Sequence, residues 1–200
     1  MNDAYLTFIG GGNMASSLVG GLISDGWDPA RIRVADADPE ARERMAARHQ
    51  VNTTPDNAAA ISDANVVVLA VKPQIMREVA DDLSAAVAQQ RPLVISIAAG
   101  IRAATLRDWL GKDTAIVRAM PNTPALVQSG ASALYANTVV TDEQRSLAES
   151  ILRAVGLAIW VEDEDQMDAV TALSGSGPAY FFLFMEAMQT AGTELGLPAE

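Results

Sequence analysis

The chain has 200 residues, half of them hydrophobic, with 25 acidic against 14 basic side chains and a net charge of −11. Such a length buries about 70% of its unfolded surface, enough for one full domain and part of another, while the charge repels phosphate backbones and anionic lipid and so disfavours nucleic-acid and membrane-surface roles. There is no cysteine and one histidine, His49, which excludes disulfides, thiolate nucleophiles and Cys-ligated metal and leaves no His cluster for a metal site.

The first residues, MNDAYLTF, contain no basic n-region, and the apolar runs at 66–71 and 181–185 are too short to span a bilayer. A soluble cytoplasmic protein is the expectation. Short apolar runs then alternate with longer stretches of helical period, the pattern of a Rossmann-type doubly wound α/β sheet. In chain order the pattern predicts a strand over 5–9, a helix near 13–25, a strand over 32–35, a helix over 39–48, a strand over 66–71 and a helix over 74–89. A strand over 93–97, a helix over 103–110, strands over 115–118 and 131–135, a helix over 142–154 and a strand over 157–161 follow. Val66-Val67-Val68-Leu69-Ala70-Val71 has no polar alternation, so both of its faces must be buried, as in a central strand.

Character changes after Val161. Residues 1–161 are expected to form the α/β domain and 162–200 the beginning of a helical second domain. A helix over 178–195 opens with Tyr180-Phe181-Phe182-Leu183-Phe184-Met185, apolar nearly all round, and such a helix needs partners on several sides. Gly196 reads as its stop, and Leu197-Pro198-Ala199-Glu200 as the start of another helix. The expectation is a fragment that ends where a helix begins, and that self-associates or is poorly soluble.

The first strand runs into Gly10-Gly11-Gly12-Asn13-Met14-Ala15 and then a helix, the G-x-G-x-x-G/A fingerprint in its required context. Gly10 permits the tight turn, Gly12 admits the pyrophosphate, Ala15 keeps the helix close to the strand, and the helix N-terminus supplies free N–H groups. Asp36 ends the second strand, where a carboxylate accepts hydrogen bonds from the adenosine ribose and repels the 2′-phosphate of NADPH, although Arg42 could reach round to offset that; the alternative is an Asp in a plain turn. Ala70, Val71, Lys72 and Pro73, and Ile97, Ala98 and Ala99, follow strands at the edge where open parallel sheets bind ligands. Lys72 is equally readable as a solvated lysine. In Met120-Pro121-Asn122-Thr123-Pro124 two prolines restrict Asn122 and Thr123, which suits groups preorganised for a carboxylate or carboxamide, or a plain turn. Ser174-Gly175-Ser176-Gly177-Pro178 caps a helix, binds an anion, or does both. His49 is expected to serve as a cation at a helix C-terminus, and the acidic run Glu162 to Asp165 to complement a helix start rather than to hold a divalent cation.

The strings Phe8 to Ala15, Ala70 to Gln74, Ile97 to Gly100, Arg118 to Pro124 and Leu173 to Tyr180 occur in the order found in pyrroline-5-carboxylate reductases, and the chain resembles that family over essentially its whole length. The resemblance implies reduction of 1-pyrroline-5-carboxylate to L-proline by NADPH or NADH, the last step of proline synthesis. It implies cofactor contacts at Ile9, Gly10, Gly11, Gly12, Asn13, Met14, Asp36, Asn57, Ala70, Val71, Lys72, Pro73, Ile97, Ala98 and Ala99. Asn122, Thr123, Ser174, Ser176 and Gly177 would lie toward nicotinamide and substrate, with no metal. Many members place Ser or Asn where this chain has Asp36. Members also continue into helices that interlock in a dimer and carry a Ser-Pro-Gly-Gly-x-Thr loop for the substrate, so a homodimer or higher homo-oligomer is expected of the full-length protein. The implied chemistry is hydride transfer from nicotinamide C4 to the imine carbon C5, promoted by holding the two carbons within about 3 to 3.5 Å and excluding water. The alternatives are a reductase of another imine or carbonyl acid and a non-catalytic dinucleotide-binding fragment.

Overall fold

The computed structural model describes residues 4–198. The strands are β1 (Leu6–Ile9), β2 (Ile32–Ala35), β3 (Asn52–Thr54), β4 (Val66–Leu69), β5 (Leu93–Ser96), β6 (Ile116–Met120), β7 (Gly130–Ala136) and β8 (Gly156–Trp160). The helices are α1 (Asn13–Ser24), α2 (Pro39–His49), α3 (Asn57–Ala60), α4 (Met76–Gln90), α5 (Ala103–Leu110), α6 (Asp142–Arg153), α7 (Gln166–Val170) and α8 (Gly177–Glu194). One sheet runs in the order β3-β2-β1-β4-β5-β6-β7-β8. Strands β1 to β6 are parallel; β7 pairs antiparallel to β6, and β8 runs parallel to β7.

Alternation along β4 shows why the sheet must be covered twice. Val66 and Val68 pack with Phe8, Leu18, Leu22 and Ile151 on one face, whereas Val67 and Leu69 pack with Ile9, Met76, Leu83 and Leu106 on the other. All four β4 side chains are buried completely, and each contributes roughly 1.5–3 kcal/mol. The uninterrupted apolar run therefore becomes a central strand, as its composition requires.

Local chemistry sets the helix ends. Asp38 accepts from the Glu40 N–H at 3.0 Å with Pro39 in the first turn of α2, and Gln50 stops that helix in the left-handed region at φ 58°. Thr141 and Gln144 form a reciprocal capping box that starts α6. Gly196, at φ +90°, ends α8, and the N–H groups of Gly196 and Leu197 return to Thr193 and Gly192 at 3.0 Å. Of the further helix start expected after it, Leu197 and Pro198 are not helical, while Ala199 and Glu200 lie outside the described residues.

Three features differ from the sequence expectation. Strand β3 and helix α3 occupy a stretch with no apolar periodicity, and β7 reverses direction. Between α7 and α8 the chain makes a π-helical turn, Thr171–Gly175. Along α8 the apolar side chains stand in solvent, with Phe181 71% and Leu183 66% exposed.

Candidate functional site

The order of strands reverses at β1, which lies between β2 and β4, and the crevice at the carboxyl ends of such strands is where a doubly wound sheet takes its ligand. A cleft of about 310 Å³ opens there, lined by Ile9, Gly10, Gly12, Asp36, Asn57, Ala70, Val71 and Lys72 among others. Eight residues expected at the cofactor from the sequence thus share one cavity. Four further residues in its wall were not anticipated: Ala35 and Ala37 on either side of Asp36, Ile75 from the 3-10 turn after β4 and Val79 from α4. The helical period of α4 marks Val79 as apolar, but only the fold turns it toward the cleft.

The phosphate loop is shaped by close approach. Gly10 sits at φ +102°, and a Cβ there would lie 2.7 Å from the Ala70 carbonyl oxygen, so no side chain fits. Around Gly12 the space is open, with nothing within 4 Å of a Cβ position. Gly12 also precedes α1 without a side-chain cap, and the first turn of α1 holds no acid. Its N–H groups therefore face an opening that fits a pyrophosphate.

Asp36 leaves β2 at the lip of the cleft. Its Oδ2 accepts from the Gly11 N–H at 2.7 Å and its Oδ1 from the Asp38 N–H at 2.9 Å. Arg42 does not reach round the cleft; its Nη1 donates to the carbonyls of Asp36 at 2.7 Å and Ala37 at 2.9 Å, tying down the turn. Asn57 follows the α3 cap Asp56, and Lys72 and Pro73 begin the 3-10 turn after β4. Ile97, Ala98 and Ala99 sit one strand further along the same edge, where the Ile97 N–H donates to Leu69 O at 3.2 Å.

The remaining two motifs meet each other. Met120 ends β6, and its Cε would be 2.8 Å from a Cβ on Gly175, so the loop of Asn122 and Thr123 and the turn of Ser174 and Ser176 lie against each other. Thr123 is exposed and opens the 3-10 helix Thr123–Val127. Asn122 is 8% exposed, and its Oδ1 accepts from the Ala131 N–H at 2.9 Å, bracing β7. Ser174 donates to Val170 O at 3.3 Å. Ser176 stands before α8 without making a side-chain cap, and Gly177 is the first residue of that helix.

Two expectations are corrected. Glu164 complements a helix start, but not that of its own segment: it accepts from the first N–H of α5, that of Ala103, at 2.6 Å and from Arg118 Nη1 at 2.8 Å. His49 is no simple dipole-complementing cation, since burial and then Arg48 push its pKa below the ordinary imidazole value, and its Nε2 lies 2.8 Å from Ser16 Oγ. Among the described residues no three of His, Cys, Asp and Glu converge as metal ligands, and no helix is long and apolar enough to cross a membrane.

Residues 5–100 match the family described as NADP oxidoreductase coenzyme F420-dependent, and residues 164–200 match the family described as pyrroline-5-carboxylate reductase dimerisation. The pyrroline-5-carboxylate reductase of Pseudomonas aeruginosa is 51% identical over 200 residues, spanning 100% of this chain and 73% of its own. The chain belongs to the pyrroline-5-carboxylate reductase family. The solved reductase from Coxiella burnetii superposes with a TM-score of 0.90 at 49% identity, covering 98% of this chain and 73% of that one. The Plasmodium falciparum reductase, solved with NADP bound, superposes at 0.89 with 28% identity, covering 100% and 72%. The family reduces 1-pyrroline-5-carboxylate to proline with NAD(P)H, and this chain is an NAD(P)-dependent oxidoreductase of that family. Its Rossmann-like fold and the helices that begin the dimerisation domain are those of the family.

Proposed function

We propose that this reductase takes NADH in preference to NADPH, with residues 1–161 as the cofactor domain and 162–200 contributing to the substrate side and the subunit contact. The Asp36 carboxylate carries the reading: it is fixed at the end of β2 by two N–H groups and keeps lone pairs for the ribose hydroxyls. A 2′-phosphate there meets a negative charge. Arg42 is committed to two carbonyls, and Lys72 follows β4, which β1 separates from β2 in the sheet.

In this arrangement Ile9, Gly10, Gly11, Gly12, Asn13 and Met14 hold the pyrophosphate, Asp36 and Asn57 the adenosine ribose, and Ile75 and Val79 the apolar face of the adenine. Ala70, Val71, Lys72 and Pro73, with Ile97, Ala98 and Ala99, carry the chain of contacts toward the nicotinamide. When bound, the nicotinamide supplies a hydride from its C4 to the imine carbon of the substrate. The chain's own work is positional. Asn122, Thr123, Ser176 and the Gly177 N–H offer neutral donors for the substrate carboxylate and, with Ser174 bracing the turn through the Val170 carbonyl, hold the acceptor carbon within about 3 to 3.5 Å of the donor and keep water out. No metal or nucleophile is called for.

The match of residues 164–200 to a dimerisation family and the exposed apolar face of α8 support a homodimer or higher homo-oligomer formed through α8. The acidic, cysteine-free composition supports a cytoplasmic enzyme without nucleic-acid or membrane partners.

Fluorescence titration of NADH and NADPH tests the cofactor assignment. Wild type should bind NADH more tightly, and Asp36→Ser should move the ratio of dissociation constants toward NADPH by about 10-fold or more, equivalent to ~1.4 kcal/mol. Tighter NADPH binding by wild type, or a ratio unmoved by the substitution, overturns the assignment.

A further inference from the structure

Away from the cofactor cleft, a second cleft of about 230 Å³ lies between α1, the last turn of α2 and the end of the 3-10 helix that follows β6. Its polar wall is made by Ser16, Ser17 and Ser24 of α1, Arg48 and His49 of α2, and Gln128. No Asp or Glu lines it, in a chain whose net charge is −11. Arg48 is the only other charged group facing His49 in the cleft, since α1 and the 3-10 helix contribute none. Among the described residues the Arg48 guanidinium has no ion-pair partner.

Cations in the last turn of a helix are ordinarily explained by the helix dipole. That explanation asks for a charged imidazole, whereas burial and the neighbouring Arg48 favour the neutral form of His49. Nor does it account for the Ser16 hydroxyl across the same cleft, whereas that of Ser17 is spent on the Asn13 carbonyl at 2.8 Å. The imidazole is held in place: Ser16 Oγ lies 2.8 Å from its Nε2, and a Cβ on Gly20 would be 3.1 Å from its Cε1.

We propose that this cleft binds a small phosphate-class oxyanion, separate from the cofactor pyrophosphate, held by Arg48, His49 and the Ser16 hydroxyl beside the imidazole. A phosphate supplies the negative charge the wall lacks, takes hydrogen bonds from hydroxyl and guanidinium alike, and turns His49 into a second donor by favouring its protonation. Asn13, which also lines the cleft, is the first residue of α1 after the phosphate loop, and the 3-10 helix begins at Thr123. An occupied cleft therefore bridges the helix that receives the cofactor and the segment that carries the substrate-side loop.

His49 is the only histidine in the chain, so its ring-proton resonance is a single, unambiguous probe. The experiment is a pH titration of that resonance in NADH-saturated enzyme, at constant ionic strength in chloride, then with inorganic phosphate, then with AMP as a phosphate monoester. Phosphate should raise the midpoint by about half a pH unit or more, in a saturable way. A lower saturating concentration for AMP makes a nucleotide the source, and a shift with inorganic phosphate alone makes it the free ion; either result supports the site. Arg48→Gln should abolish the shift, with NADH affinity unchanged. A midpoint unmoved by both anions, an equal shift in Arg48→Gln, or a shift that appears only without NADH overturns the proposal, the last because the ion would then be visiting the pyrophosphate loop.

Discussion

Arg118 stands in β6 with its side chain 5% exposed, and the guanidinium finds its partner, Glu164, 46 residues further along the chain. A buried guanidinium left without its carboxylate bears an uncompensated desolvation cost, so Glu164→Ala should destabilise the fold by about 3 kcal/mol in urea unfolding. Asp165→Ala, which removes only the exposed pair with Arg102, should lower stability by less than about 1 kcal/mol. His49 adds a pH dependence. Its folded pKa is depressed, so the unfolded chain binds the proton more readily, and its contribution is present above the ordinary value of 6.5 and lost as pH falls through the folded pKa. Stability should decline as pH drops below about 6.5, and His49→Asn, measured by thermal unfolding across that range, should flatten the decline. At this scale the sequence was uneven as a guide. Asp36 was legible because its distance from the glycine loop is set within a single βαβ unit. Glu164 was not, because nothing near it in the chain announces a cation on β6, and the acidic run around it reads as a helix start.

At the scale of elements, tight contacts of α1 lie outside the phosphate motif as well as within it. A Cβ on Gly21 would lie 2.6 Å from both the Ala154 carbonyl oxygen and Val155 Cγ1, at the end of α6. Gly21→Ala should therefore destabilise the protein by about 1–3 kcal/mol through overpacking, in spite of alanine's better helix propensity, and differential scanning calorimetry would show a lowered Tm. An unchanged or raised Tm would mean that α6 yields freely. The long buried strands and the capped helices were readable from period alone, as the two faces of β4 illustrate. Asn52, Thr53 and Thr54 were not readable as a strand, since β3 is three polar residues at a sheet edge, held by pairing with β2. The reversal of β7 was hidden for a different reason: hydrophobic alternation carries no direction, and a parallel and an antiparallel strand of the same composition look alike. The meeting of the Met120 and Gly175 segments depends on the π-helical turn, whose pitch leaves no mark in residue type.

At the scale of the whole molecule, the acidic cofactor domain and the apolar α8 belong to different solvents. Phe181, Leu183, Phe184 and Met185 are each more than 60% exposed, and a run of that size on one helix calls for cover. Sedimentation should show association of this protein, and Phe184→Glu should shift it toward monomer without lowering NADH affinity, because the cofactor cleft is built by β1, β2, β4 and α4. A monomer at high concentration in wild type would contradict the assignment of α8 as a subunit contact. The proposed chemistry follows the same division, with the sheet edge assigned to the reductant and the segments at Asn122 and Ser174 to the acceptor. The account is tested most directly by steady-state oxidation of NADH and of NADPH, side by side, with 1-pyrroline-5-carboxylate as acceptor and L-proline measured as product. It predicts substrate-dependent proline formation with a higher kcat/KM for NADH, and it is contradicted if proline fails to exceed background or if NADPH is the better reductant.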